Sequence, residues 1–423
     1  MNEDFLHYVW KFQKLTSLEL STVAGNSLQV LNVGQHNHNA GPDFFNGQII
    51  INNQKWAGTV EIHIKSSDWY AHGHEKDPAY DSVILHVVWE HNVDVFREDN
   101  TAIPTLELKN SIAPQILKNY QKLFHTKSYW INCENSFAEV SALTVTNCIE
   151  RLYIERLENK YALIQERLNK LNNHWEAVLF EMLCKNFGLN VNGASFLSIA
   201  QSIPFSVLQK CRQSPQILEA LLMGQAGFFE RETQDAYHKD QKENYIFLAS
   251  KFSLSSITVA APKYFRLRPP NFPTIRLSQL SALYHERPSL FSEVIKIDTV
   301  AGFYKLFEVS ALGYWDTHYN FGVVAAPRKR KLTKKFIDLL IINTVIPLKF
   351  AYATSTGKNV TEALIALASK LPKEKNSIVD GFNRLKPIVE NAFDSQGVLQ
   401  LKNEYCDKLK CMQCAVGNAL LRK

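Results

Sequence analysis

The stretch Gly41 to Lys65, GPDFFNGQIIINNQKWAGTVEIHIK, constrains the fold more than any other. Apolar residues crowd Gln48 to Ile51, Asn52-Asn53-Gln54 makes a polar turn, and Trp56 leads into a second run. The pattern predicts two strands joined as a hairpin. In the second strand Val60, Ile62 and Ile64 share one side, while Thr59, Glu61, His63 and Lys65 share the other. Side chains alternate faces along a strand, so one face suits a core and the other lines up an acid, an imidazole and an ammonium group. Asp43 enters the sheet where its carboxylate can approach Glu61. The plain reading is a half-buried antiparallel pair with a solvated polar face. The functional reading is two acids and a basic partner, the set that a divalent metal and its activated water require.

The chain has 423 residues, room for two or three domains, and its 46% hydrophobic and 21% charged residues are ordinary for a globular protein. It has no charge-free apolar run long enough to span a bilayer. Glu3 and Asp4 stand where a secretory leader would be basic. The expectation is a cytoplasmic protein with no membrane partner. Charge is unevenly spread. Residues 1–110 hold 14 acids and 7 bases, a net of −7, so the rest carries +13 and the whole chain +6. An acidic module on a basic frame suits a metal site served by a polyanion-binding surface, and equally a merely lysine-rich domain.

In chain order, Phe5, Leu6, Val9, Trp10, Phe12 and Leu15 are spaced for a helix over residues 3 to 15. Leu28 to Val33 reads as a strand, and the loop GQHNHNAGP then delivers Asp43. After Lys65 comes a polar connection with a helical turn following Asp77-Pro78, then strands at Val83 to Trp89 and Ile103 to Leu108. The expected fold is an α+β N-terminal module over residues 1–135, in the order helix-strand-strand-strand-helix-strand. A large, mainly α-helical basic region over 136–423 follows, with helices at Ile149 to Leu171, Trp175 to Asn186, Gln216 to Phe229 and Gln241 to Phe252.

That order, with Pro42-Asp43 opening the second strand and Glu61-Ile62-His63 in the third, resembles the PD-(D/E)xK nuclease core, which is restriction-endonuclease-like. The resemblance covers about the first quarter of the chain. It implies that Asp43 and Glu61 hold Mg²⁺ or Mn²⁺, and that the base two positions on orients the attacking water. His63 stands where lysine is usual; neutral imidazole can accept a proton, and Lys65, on the same side of the strand, would supply the missing charge. The implied activity is hydrolysis of DNA phosphodiester bonds, and the alternative is a non-catalytic nucleic-acid-binding or assembly protein on a decayed core. At whole-chain scale the phrases AGPDFFNGQI, GTVEIHIKSSDWYAHGHEKDPAYDSVILHVVWEHN, RLRPPNFPTIRLSQL and SQGVLQLKNEYCDKLKCMQCAVGNALL resemble an uncharacterised bacterial family known only as domain of unknown function 2851.

Eight of the 13 histidines precede residue 92. His72-Gly73-His74 with Asp77 has a spacing that permits zinc, and reads equally as solvated loop. His86 sits in an apolar strand, where a satisfied core histidine is expected.

Two basic stretches follow in the helical region. FRLRPPNFPTIRL, residues 265–277, sets Arg266, Arg268 and Arg276 among aromatics on a proline-stiffened backbone, suited to phosphate or to local acids. RKRKLTKK begins with Arg328, Lys329, Arg330 and Lys331, a solvated run that would also grip a polyanion.

Seven cysteines do not suggest a disulfide scaffold in a chain of this length. Cys406, Cys411 and Cys414 stand as C-x4-C-x2-C, the spacing of a metal knuckle, and Cys133 is the candidate fourth ligand for an iron–sulfur cluster or Zn²⁺. A lone cysteine joined to a terminal trio resembles some iron–sulfur recombination nucleases, which implies a cluster that ties the chain's end to the first module.

Overall fold

The computed structural model describes residues 2–422 other than 18, 38, 39, 125–129 and 232. Residues 38 and 39 of the GQHNHNAGP loop are thus outside the described residues. The chain divides into two compact units, Met1–Cys148 with Leu401–Lys423, and Ile149–Gln400. The last 23 residues therefore join the first unit, where the sequence reading had run one region from 136 to the end.

The first unit holds a mixed sheet. Its strands are β1 (Leu20–Ser21), β2 (Ser27–Asn32), β3 (Gln35–His36), β4 (Phe44–Ile51), β5 (Gln54–Lys65), β6 (Val83–Glu90) and β7 (Thr105–Glu107). The order across the sheet is β1-β2-β4-β5-β6-β7, with β3 paired on β4. Pairing is antiparallel from β1 to β5 and parallel from β5 to β7. The expected hairpin is β4–β5. Its turn residues Asn52 and Asn53 both have positive φ, 48° and 66°, the left-handed pair that a two-residue hairpin turn needs and that asparagine tolerates.

The alternation in β5 sorts the two faces. Val60 and Ile62 lie opposite Leu85 and Val87 of β6. They share a buried core with Phe5, Leu6, Val9 and Trp10 of α1 (Glu3–Lys11) and with Tyr120 and Leu123 of α3 (Pro114–Phe124). Glu61 lies opposite His86 and His63 opposite Val88 on the other face. That face is covered by α2 (Asp68–Ala71) and by a small cluster of Trp69, Tyr80, Val83, Val95 and Ile103. Polar groups on this face are thus enclosed between the sheet and a loop.

A bulge in β4 positions Asp43. Phe44 pairs with Val60 and Gly47 with Gly58, so three steps on β4 match two on β5. Asn46 absorbs the extra residue at φ 57°. The kink brings the start of β4 over the middle of β5.

The second unit is mainly helical around one large core. The four expected helices are present as Ala142–Lys170, Trp175–Phe187, Pro215–Gln225 and Ala236–Phe252; the first and last begin earlier than periodicity placed them, and the third ends before Phe229. Residues 265–277 depart from the expected loop. Pro273 sits in the first turn of a helix, Pro273–Glu286, whose residues from Pro273 to Tyr284 are all buried. The helical run Lys334–Ser355 is long and apolar enough to cross a membrane, and 78% of its apolar window is buried inside the protein.

Candidate metal centre

Asp43 and Glu61 meet across β4 and β5. The Asp43 backbone N–H donates to Glu61 Oε2 at 3.1 Å, and the Ile62 N–H donates to Asp43 Oδ2 at 2.9 Å. His7 Nε2, from α1, stands 3.2 Å from Asp43 Oδ2. The other carboxylate oxygen of Glu61, Oε1, lies 3.5 Å from His63 Nε2 and 3.4 Å from His74 Nε2. His63 Nε2 is also 3.1 Å from His72 Nδ1, and His63 Nδ1 shares a 2.8 Å hydrogen bond with His86 Nε2. His63, His72 and His74 each offer a ring nitrogen, and these three atoms all lie within 4.8 Å of one another.

Local structure explains the convergence. Strand alternation puts Glu61 and His63 on one face, and parallel register brings His86 beside them. The chain leaves β5, makes the short turn of α2, and returns through Gly73, whose φ of 73° is left-handed. That single glycine lets side chains two apart both face the sheet. The His74 ring stacks on Tyr80 at 3.8 Å between centroids and meets Trp69 edge-on at 5.4 Å. His63 is 2% exposed and His86 0%, whereas His72 is exposed and opens the site to solvent.

The electrostatics follow from enclosure. Burial, with neighbouring imidazoles, pushes His63 down to about 2 and His86 down to about 3, so both are neutral donors of lone pairs. Burial raises the Glu61 carboxyl, with Asp43 adding to the rise and His74 opposing it. Unlike His63 and His86, His7 is raised: burial pulls it down, but the Asp43 carboxylate outweighs burial.

Of the residues read from the sequence, Asp43, Glu61, His63, His72 and His74 come together. Lys65 does not join them; it is exposed at the end of β5, and its backbone N–H donates to the Asp68 carboxylate at 2.9 Å. His7 and Tyr80 were missed, since nothing in their spacing ties them to Asp43 or His74. The group does not fit the Mg²⁺ that the nuclease pattern implies. Mg²⁺ asks for an octahedron of oxygens, whereas three of the donors gathered here are imidazole nitrogens and Asp43 Oδ2 faces a backbone amide.

The four cysteines also converge. Cys133, Cys406, Cys411 and Cys414 line one small cavity, with a free volume of about 20 Å³, together with Leu123, Asn132, Tyr405 and Gly417. None of the four forms a disulfide, and Asn132 Nδ2 donates to Cys411 Sγ at 3.7 Å. Burial and the neighbouring sulfurs push Cys133 up to about 12 and Cys411 up to about 11.

The basic residues separate into two groups. Arg276 and Arg330 are buried, which removes them from any polyanion surface. The Arg276 guanidinium donates to Gln279 and Asn271 and lies over the Phe336 ring at 3.6 Å. Arg330 donates to the carbonyls of Trp315 and Ala326. Arg266, Arg268, Arg328, Lys329 and Lys331 are exposed.

Residues 3–377 match a protein family described as a protein of unknown function, DUF2851. No curated protein and no solved structure matches the chain.

Proposed function

This chain belongs to the family of unknown function DUF2851, and on its own residues we propose that it is a metal-dependent hydrolase of phosphodiester bonds in nucleic acid, DNA above all. One observation carries the proposal. Two carboxylates, Asp43 just before β4 and Glu61 on β5, are held together beside a histidine cluster that solvent reaches at His72. The helix before the sheet, the acid at the entry to β4 and the acid on β5 support a restriction-endonuclease-like core as part of the same proposal.

In the reaction a water oxygen attacks phosphorus, the bond to the leaving ribose oxygen breaks, and that oxygen takes up a proton. Enclosure between sheet and loop makes each charge in the site count for more than it would in water. Asp43 and Glu61 give the site its anionic side. In the helical unit Arg266, Arg268, Arg328, Lys329 and Lys331 offer a cationic surface for phosphates. Lys329 and Lys331 pair with Asp316 and Glu308, exposed bridges weak enough to exchange for phosphate. The four-thiol cavity would hold an iron–sulfur cluster or Zn²⁺ and staple the terminal segment to the sheet unit.

The test is cleavage of labelled DNA and RNA by purified protein with Mg²⁺, Mn²⁺ or Zn²⁺. Asp43→Ala and Glu61→Ala are expected to abolish cleavage while the protein stays folded by circular dichroism. A wild-type protein that cuts neither substrate with any of these ions sinks the proposal. One observation favours a second reading, a non-catalytic nucleic-acid-binding protein: both His63 ring nitrogens are engaged by other histidines and Lys65 stands apart. Salt-sensitive DNA binding without turnover would select it.

A further inference from the structure

We propose that His63, His72 and His74, with Glu61 Oε1 at the fourth corner, form a site for one transition-metal ion, best filled by Zn²⁺. Where it names the ion for hydrolysis it rests on the reading above; the binding site stands without it.

The argument is geometric. Zinc binds imidazole nitrogen and carboxylate oxygen at about 2.0–2.2 Å, so neighbouring donors in a tetrahedron lie roughly 3.3–3.6 Å apart. The observed separations are 3.1 Å from His63 Nε2 to His72 Nδ1, 3.5 Å from His63 Nε2 to Glu61 Oε1, and 3.4 Å from His74 Nε2 to Glu61 Oε1. The three imidazole nitrogens lie within 4.8 Å of one another, and Glu61 Oε1 stands beside two of them, so small side-chain adjustments bring all four donors around one ion. Among the described residues no other group of three possible ligands is drawn so close.

Proton accounting points the same way. Two facing imidazole nitrogens need one hydrogen between them, and His63 has such a contact on each side. When His63 Nδ1 donates to His86 Nε2, His63 Nε2 is left as an acceptor, which takes a hydrogen from His72 Nδ1 or a cation in its place. A cation there would answer that nitrogen and Glu61 Oε1 together, 3.5 Å apart. His86 then acts as the partner that fixes the ring and tautomer of a ligating histidine. Its own Nδ1 is buried and finds no acceptor.

The ligand set also selects the ion. Imidazole suits zinc and its neighbours in the first transition row, while Mg²⁺ keeps to oxygen. The exposure of His72 leaves a path for the ion to enter.

The experiment uses the full chain, stripped with a chelator and titrated separately with Zn²⁺, Co²⁺ and Mg²⁺, reading bound metal by mass spectrometry and the Co²⁺ complex by its visible absorption. Nitrogen and oxygen ligation gives d–d bands without the sulfur charge-transfer band of a thiolate site, so the cysteine cavity is read separately. His72→Ala, whose side chain is exposed, and His74→Ala are expected to weaken Zn²⁺ binding more than about 100-fold, beyond the loss typical of removing an outer partner. His91→Ala, a histidine outside the cluster that pairs with Asp94, should leave that binding unchanged. Equal Zn²⁺ uptake by wild type, His72→Ala and His74→Ala overturns the site, as does Mg²⁺ binding as tight as Zn²⁺ at these residues. Zn²⁺ bound through the histidines with no cleavage of DNA or RNA defeats the hydrolase proposal and leaves this one intact. Cleavage with no histidine-dependent Zn²⁺ does the reverse.

Discussion

Glu219 shows how far a single buried acid sets the behaviour of the helical unit. It is fully buried; Trp315 Nε1 donates to Oε1 at 2.8 Å, and the Tyr237 hydroxyl donates to Oε2. Burial pushes its carboxyl up to about 7, against hydrogen bonds from Ser278, Tyr237 and Trp315 that favour the anion. Unfolded and solvated, the same acid titrates at its ordinary value of 4.5. Between these values the native state binds the extra proton, so stability is full below the lower value and falls as pH rises through the window. The full loss is on the order of 3 kcal/mol. Denaturant midpoints at pH 5 and pH 8 should therefore differ more for wild type than for Glu219→Gln; equal differences would show that the acid does not couple to folding. At this scale the sequence was informative where residues shared a strand. Glu61 and His63 were legible because period-two alternation fixes a face. His7 was not, because its meeting with Asp43 is made by tertiary packing. Arg276 and Arg330 misled for the same reason, since a charge run says nothing of which side chain turns inward.

Elements were legible where local chemistry decides them and obscure where packing does. Asn52-Asn53 declared the hairpin turn, and β6 followed from its unbroken apolar run. The bulge at Asn46–Gly47 was hidden, since an asparagine–glycine pair inside a strand reads equally as a turn. The helix Pro273–Glu286 was hidden by its own prolines, although Pro273 occupies a first-turn position that proline favours. Two glycines give tests here. Gly73 is left-handed with open space around its Cβ position, so Gly73→Ala meets strain alone, about 1–2 kcal/mol. Gly25 shares both properties and lies far along the chain from the histidines. Both alanine variants should lose similar stability in urea, and only Gly73→Ala should weaken Zn²⁺ binding. A Gly25→Ala protein that loses zinc equally would show the loop between His72 and His74 to be unimportant. At Gly417 a Cβ would sit 2.0 Å from the Cys411 carbonyl oxygen, so Gly417→Ala should push the terminal helix away from the cysteine cavity. Faster alkylation of Cys411 and Cys414 than in wild type would register the shift; unchanged rates would contradict it.

At the scale of the molecule, a mixed sheet followed by a large helical region was readable from periodicity alone. The return of Leu401–Lys423 to the sheet unit was not, because a contact hundreds of residues apart leaves no local pattern. Only the cysteine spacing hinted at it. If the four thiols share a metal, removing it loosens the terminal segment first. Limited proteolysis of chelator-treated protein should then cut within 401–422 sooner than in the metal-replete protein, and Cys406→Ser should reproduce that pattern without chelator. Identical digestion in all three states would argue that hydrophobic packing of Met412 and Leu421 suffices.

The account depends most on one ion held between β5 and the loop that follows it. An anomalous-difference map measured at the zinc edge from crystals grown with zinc tests this most directly. It should show a peak about 2 Å from His63 Nε2 and from Glu61 Oε1, with His72 and His74 completing the shell. Strong zinc peaks confined to the cysteine cavity, with the three imidazoles turned away from one another, would contradict it.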